Sequence, residues 1–253
     1  MHISLQAETL GTFLGFPVTN SLILSLFTAS LLMAGGLFMA KFLRTVPTKA
    51  QALGELVLEA LLGFMTQTLG SAERAKKFFP LVATIFLFIL LNNWIGVLPG
   101  TGSVGFYEPQ SEIGHGQEET VFVPFFRSAN SDLNTTFALA LISMIAIQAY
   151  GISHSGLRGH ISKFLVLTKG PIQFFVGLLE LVGELAKVLS FSFRLFGNVF
   201  AGEVLLIIIM TLVPLVAPIP FIFLEFFVGF IQALVFSMLT LVFLKIATES
   251  SGH

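Results

Sequence analysis

An all-α integral membrane protein is the fold that this sequence predicts, and three observations predict it. Of 253 residues, 55% are hydrophobic and only 11% charged, whereas a soluble domain carries about a quarter charged residues. The apolar residues come in long blocks, and a segment needs ~20 of them to cross the hydrocarbon core. Basic residues collect in alternate loops, as they do in multi-pass chains. A single membrane domain over 1–253 follows, with five hydrophobic helices, one interfacial amphipathic helix, and a last pair that is long and steeply tilted as a hairpin. The net charge of −1 offers no surface for nucleic acid, and the absence of cysteine removes disulfides, thiolate catalysis and cysteine-held metals.

The first helix spans about 21–40. Residues 1–16 contain Glu8 and His2 but no Lys or Arg, so the positive region of a signal peptide is missing and the first block reads as a retained helix. In 51–69, Glu55 and Glu59 stand one turn apart, with Gly63 and Gln67 continuing their face. Leu53, Leu56, Ala60, Leu61, Phe64 and Met65 cover the other. That pattern predicts either an amphipathic helix on the inner surface or a connecting helix packed on the bundle.

The second helix covers about 80–98, the third about 135–152, and an outer loop, 99–133, joins them. Asp132 stands where a helix N-cap belongs. A fourth helix opens at Pro171, a residue suited to a first helical position, and runs to about 213. It has no internal proline, and at 1.5 Å per residue it would be ~64 Å long against a core of ~30 Å. One long tilted helix is the better solution, because the middle offers only Gly197 and Asn198 for a turn. Such a tilt needs a partner to hold it. The chain returns through Pro214, Pro218 and Pro220 into a last helix at about 220–244.

Orientation follows from the loops. Lys41, Arg44, Lys49, Arg74, Lys76 and Lys77 follow the first helix, and Arg158, Lys163 and Lys169 follow the third. Between the second and third lies only Arg127, among Glu108, Glu112, Glu118, Glu119 and Asp132. The N-terminus is therefore expected outside and the C-terminus inside.

The fourth helix carries the chemistry. Gln173, Glu180, Glu184, Lys187, Ser190, Arg194 and Asn198 fall at spacings of 7, 4, 3, 3, 4 and 4, one face of an α-helix. A polar stripe in a membrane helix faces protein or water. At 100° per residue Glu203 falls opposite Arg194. Arginine cannot lose its proton, and its neighbours one turn away, Ser190, Phe191, Gly197 and Asn198, include no acid. Two partners are open: Glu225 of the last helix, locking the hairpin, or a carboxylate on another subunit. The small residues Gly197, Ala201 and Gly202 suit close approach of a helix, from within the chain or beyond it. Glu203 and Glu225 are the candidates for taking up and releasing protons. Gln232 shares a face with Glu225, and Asn93 could line the same outer route.

SFRLFGNVFAGE (Ser192 to Glu203) resembles the signature of subunit a of F-type ATP synthases. NNWIGVLPG (Asn92 to Gly100), SANSDLNTTFALAL (Ser128 to Leu141) and FIQALVFSMLTLVFL (Phe230 to Leu244) are similar to further stretches of that family, in the same order. The resemblance implies a stator subunit, itself non-catalytic and without nucleotide, cofactor or metal. Its partners would be the c-subunit ring, b-type peripheral-stalk subunits, other membrane-sector subunits and the bilayer. It implies that Arg194 faces the ring carboxylates and that Asn198, Glu203, Gln232 and Ser190 lie about the ring-facing and proton-access surfaces. Glu180 matches the inner half-channel. Glu225 falls where some members carry histidine, and Gly96 where some carry an acid. The AGE sequence leans toward a bacterial inner membrane over a mitochondrial one.

Three other classes fit less well. A secondary transporter commonly shows paired repeats, and none is visible. A haem-bearing anchor needs axial ligands, usually histidine, within its helices, and all five histidines fall outside the expected spans. A purely structural assembly subunit would use the polar stripe only to glue helices together.

Overall fold

The computed structural model describes residues 8–13, 15–42, 47–98, 100–101, 104–111, 118–164, 171–214 and 216–249. A short antiparallel ribbon, β1 (Thr9–Phe13) and β2 (Phe16–Thr19), leads into helix α1 (Asn20–Phe42). Thr19 Oγ1 accepts from the amide of Leu22 (3.2 Å), which satisfies one of the helix's unpaired first-turn donors. Helix α2 (Lys49–Leu69) is capped at both ends. Thr48 accepts from the amide of Gln51, and Gly70, at φ 67°, returns its own N–H to the Thr66 carbonyl. A left-handed residue ends a helix in this way, and glycine adopts that conformation at no steric cost.

Helix α3 (Ala72–Val97) is followed by an antiparallel ribbon of β3 (Gly105–Ser111) and β4 (Glu118–Pro124). A 3-10 turn at Ala129–Ser131 then delivers the chain to α4 (Leu133–Phe164). Asp132 caps α4 through an Asn134 amide (3.1 Å) and the Thr135 hydroxyl (3.4 Å), as its position predicts. Helices α5 (Pro171–Leu212) and α6 (Pro218–Thr248) complete the chain.

Among the described residues six helices are long and apolar enough to cross a membrane, and the protein is an all-α multi-pass membrane protein. The sixth is α2, the least apolar, at a mean hydropathy of 1.3. Three features differ from the sequence expectations. Helix α3 starts at Ala72, so Pro80 lies inside it; proline removes one ladder bond, yet the charged residues before it alternate with the buried Ala75 and Phe78. Helix α4 runs beyond 152 and contains His154, with a non-helical break at Gly156 (φ 73°). Residues 99–133 carry a β-ribbon where a plain loop was expected.

The chain divides into two compact units whose boundaries fall inside helices. The first comprises Met1–Lys41, Leu87–Thr136 and Leu195–Ala233, and the second Phe42–Phe86, Phe137–Arg194 and Leu234–His253. In the first, Thr28 donates to Asn92 (3.1 Å), and Trp94 donates to the Phe226 carbonyl (3.0 Å) while its ring meets Phe226 edge-on. In the second, Phe78 meets Tyr150 edge-on at 5.2 Å, and Phe191 lies against Phe236 and Phe243 at 4.9 and 5.7 Å. Lys245 donates to the carbonyl of Thr68 at the end of α2 (3.1 Å). Met65, Leu69, Val82, Leu241 and Leu244 are buried there.

Gly96 shows how close the first unit's backbones come. A Cβ on it would stand 2.5 Å from the Ser128 Cβ and 2.9 Å from the Ser128 Cα. Gly96→Val is therefore expected to destabilise the protein by about 1–3 kcal/mol through overpacking. A lowered midpoint in thermal denaturation of the detergent-solubilised complex would register the loss, and an unchanged midpoint would contradict this packing.

Candidate functional site

Helix α5 sorts its residues by side. In the second unit Val188, Phe191 and Ser192 are buried, whereas Ser190, Phe193 and Arg194 are exposed. In the first unit Leu195, Val199, Gly202 and Leu206 are buried, whereas Gly197, Asn198, Ala201 and Leu205 are exposed. Both sets follow the 3.6-residue period. Arg194 thus sits on a face that the described residues leave exposed. Its guanidinium reaches only the Ser190 hydroxyl, at 3.5 Å, and among the described residues it forms no ion pair.

The rest of the predicted stripe divides. Glu184 pairs with Lys187 at 2.6 Å and accepts from Gln148 of α4 at 3.0 Å, while the ammonium stands 4.6 Å from the centre of the Phe243 ring. These four side chains satisfy one another, an ion pair closed by an amide and an aromatic face. Glu180 is exposed, and no side chain joins it among the described residues. The side chain of Gln173 lies outside the described residues.

The first unit gathers most of the predicted polar positions. Asn198 donates to Gln232 at 2.7 Å. Asn93 donates to the Gly229 carbonyl at 3.1 Å and accepts from Asn130 at 2.7 Å. The carboxyl of Glu225 lies against Gly202, in the space that any side chain there would need. Here α5 and α6 run antiparallel, with 198 beside 232 and 202 beside 225. Ser128 Oγ, Asn130 Oδ1 and Gln232 Nε2 are buried without a partner among the described residues, and such atoms are ordinarily satisfied by water.

One residue of this cluster was not singled out from the sequence. Arg127 forms an ion pair with Glu203, Nε to Oε1 at 3.0 Å. The available signal was that Arg127 is the lone cation in an acidic loop. The 76 residues separating it from Glu203 hid the pairing. Gly96 also finds its explanation: Ser128 fills the room that a larger residue would occupy.

Comparison with known sequences gives a consistent result. The family described as ATP synthase A chain matches residues 22–245. Proteins named ATP synthase subunit a are similar to the chain along most of its length. The one from Campylobacter jejuni subsp. jejuni serotype O:23/36 (strain 81-176) is 34% identical over 215 residues, covering 83% of this chain and 82% of its own. The one from Geobacter sp. (strain M21) is 34% identical over 211 residues, 83% of this chain and 79% of its own. The one from Syntrophobacter fumaroxidans (strain DSM 10017 / MPOB) is 34% identical over 249 residues, 96% of this chain and 89% of its own.

The asparagine bridge yields a direct expectation. Asn93→Leu would take from the Asn130 amide its 2.7 Å acceptor and leave it the longer contact to the Ile89 carbonyl (3.5 Å), at a cost of about 1–3 kcal/mol for a buried donor left poorly paired. Thermal denaturation should show a lower midpoint for Asn93→Leu than for the conservative Asn93→Gln. Equal midpoints would mean that the bridge carries no stability.

Proposed function

The chain belongs to the ATP synthase A chain family, and we propose that within the membrane sector of the F-type enzyme it is the stator that passes protons to and from a rotating ring of c subunits. The observation that carries this reading is the setting of Arg194. A permanent cation in a membrane helix demands a counter-charge, and this one is exposed and, among the described residues, has only a serine beside it. A carboxylate on a partner that travels past is the complement.

Protons enter from the outer side along a polar route lined by Glu203, Glu225, Gln232 and Asn93, with Asn198 at its ring-facing edge. They neutralise a ring carboxylate, which can then turn into lipid because its charge is gone. After most of a revolution that carboxyl reaches an inner route near Glu180 and releases its proton. Arg194, steadied by Ser190, stands between the two routes and bars direct leakage by its fixed charge. Each charge falling through 100 mV delivers ~2.3 kcal/mol, so several protons are needed for each ATP. The partners are the c ring, b-type peripheral-stalk subunits and the remaining membrane-sector subunits.

Helix α2 lies along the inner surface in this reading. Lys49 opens it and Arg74, Lys76 and Lys77 follow it; a crossing at α2 would put one of these basic groups outside, against the positive-inside rule. Five crossings then leave the N-terminus outside and the C-terminus inside. The bacterial sources of the relatives support a bacterial inner membrane.

Arg194→Ala, assembled into the complex and held in inverted vesicles, is expected to reduce ATP-driven proton uptake to background while the complex still forms. Uptake at the wild-type rate would remove the stator assignment.

A further inference from the structure

The first unit holds two carboxyls whose surroundings differ in kind. Glu203 meets a guanidinium edge: Arg127 Nε lies 3.0 and 3.4 Å from its two oxygens, and Nη2 lies 3.4 Å from the second. This two-oxygen contact is the strong form of an arginine–carboxylate pair. The Arg127 side chain is only 9% exposed and that of Glu203 29%.

The backbone holding Arg127 is fixed on both sides. Phe126 before it packs against Phe27 at 6.4 Å, and Ser128 to Ser131 after it are buried, with Asn130 bonded to Asn93. Those contacts hold the Arg127 backbone in place, and the side chain, 9% exposed, lies folded against Glu203. A proton arriving on Glu203 would remove the counter-charge that it supplies to a cation unable to give up its own proton.

Glu225 stands otherwise. It is 9% exposed, its carboxyl rests on Gly202, and among the described residues it has no ion pair or hydrogen bond. Gln232 lies two turns along the same helix, bonded to Asn198. A carboxyl with no fixed charge beside it can gain and lose a proton without breaking a pair.

We propose that Arg127 is a positioning residue that holds Glu203 as a permanent ion pair, leaving Glu225 as the carboxyl that exchanges protons on this side. The assignment rests on the stator reading above and divides the work of two groups that sequence alone treats as equivalent. Glu203 and Arg127 fix the geometry of the polar route, and Glu225 moves the proton along it.

The test uses the whole complex in inverted vesicles, with ATP-driven proton uptake expressed per assembled complex. Arg127→Gln and Glu203→Gln should each lower uptake about tenfold, because each leaves its partner charge unmatched. Combining them should restore uptake to within about threefold of wild type, since two amides can bond without a net buried charge. Arg127→Lys should keep at least about a third of the wild-type rate, because it retains the cation but not the fork. Glu225→Gln should fall to background and stay there when Arg127→Gln is added.

Wild-type uptake by Arg127→Gln would overturn the proposal, as would a double variant no better than Glu203→Gln, or full uptake by Glu225→Gln. If Arg127→Gln prevents assembly, Arg127→Lys decides: background uptake by its assembled complex overturns the proposal, and retained uptake supports it. Arg194→Ala in the same vesicles keeps the two readings apart. Its background uptake beside a failed double variant would overturn only the Arg127 assignment, whereas its full uptake would overturn the stator reading itself.

Discussion

A bilayer offers no hydrogen bonds, so each polar side chain on a membrane helix must be answered by protein or by water. Most of this chain obeys that constraint internally. Asn92 bonds to Thr28 and to the Phe88 carbonyl, Trp94 to the Phe226 carbonyl, Asn198 to Gln232, and Glu184 to Lys187 and Gln148. Arg194 is the cation of the α5 stripe whose answer, among the described residues, is a serine 3.5 Å away. Lys187, on the same stripe, is matched by Glu184.

Arg127 and Arg194 illustrate two uses of a charge that cannot be discharged. Arg127 is nearly buried and matched oxygen for oxygen by a carboxylate. Such a pair holds a loop and a helix in one register, and its value is positional, since desolvation offsets much of the attraction. Arg194 is displayed instead of matched. In the proposed mechanism its work depends on having no permanent partner, because a counter-charge supplied by its own chain would cancel the field that a passing carboxylate must feel.

The membrane helices were legible because lipid imposes a length and an apolarity that composition records directly. The ends were less so. The expected start of α3 at 80 followed the apolar block, but the helix continues back to Ala72 because Ala75 and Phe78 are buried between charged neighbours. His154 seemed to lie beyond a helix that in fact contains it. In the candidate site, the stripe from Glu180 to Asn198 was readable from its period. Arg127 with Glu203, and Gln148 with Glu184, were not, since periodicity describes one helix and says nothing of what a distant segment brings to it. Gly96 read as a missing acid until the proximity of Ser128 gave it a steric cause.

Gly202 and Glu225 share one small volume: the carboxyl of the second occupies what the side chain of the first would need. The two positions are therefore not independent variables for evolution or for an engineer. A larger residue at 202 requires the Glu225 carboxyl to turn aside or a shorter residue at 225, and a carboxyl held where it now lies keeps 202 a glycine. Over many lineages such a pair should leave a joint trace of compensating sizes, carried by a site where neither sequence position, taken singly, records the limit that it obeys.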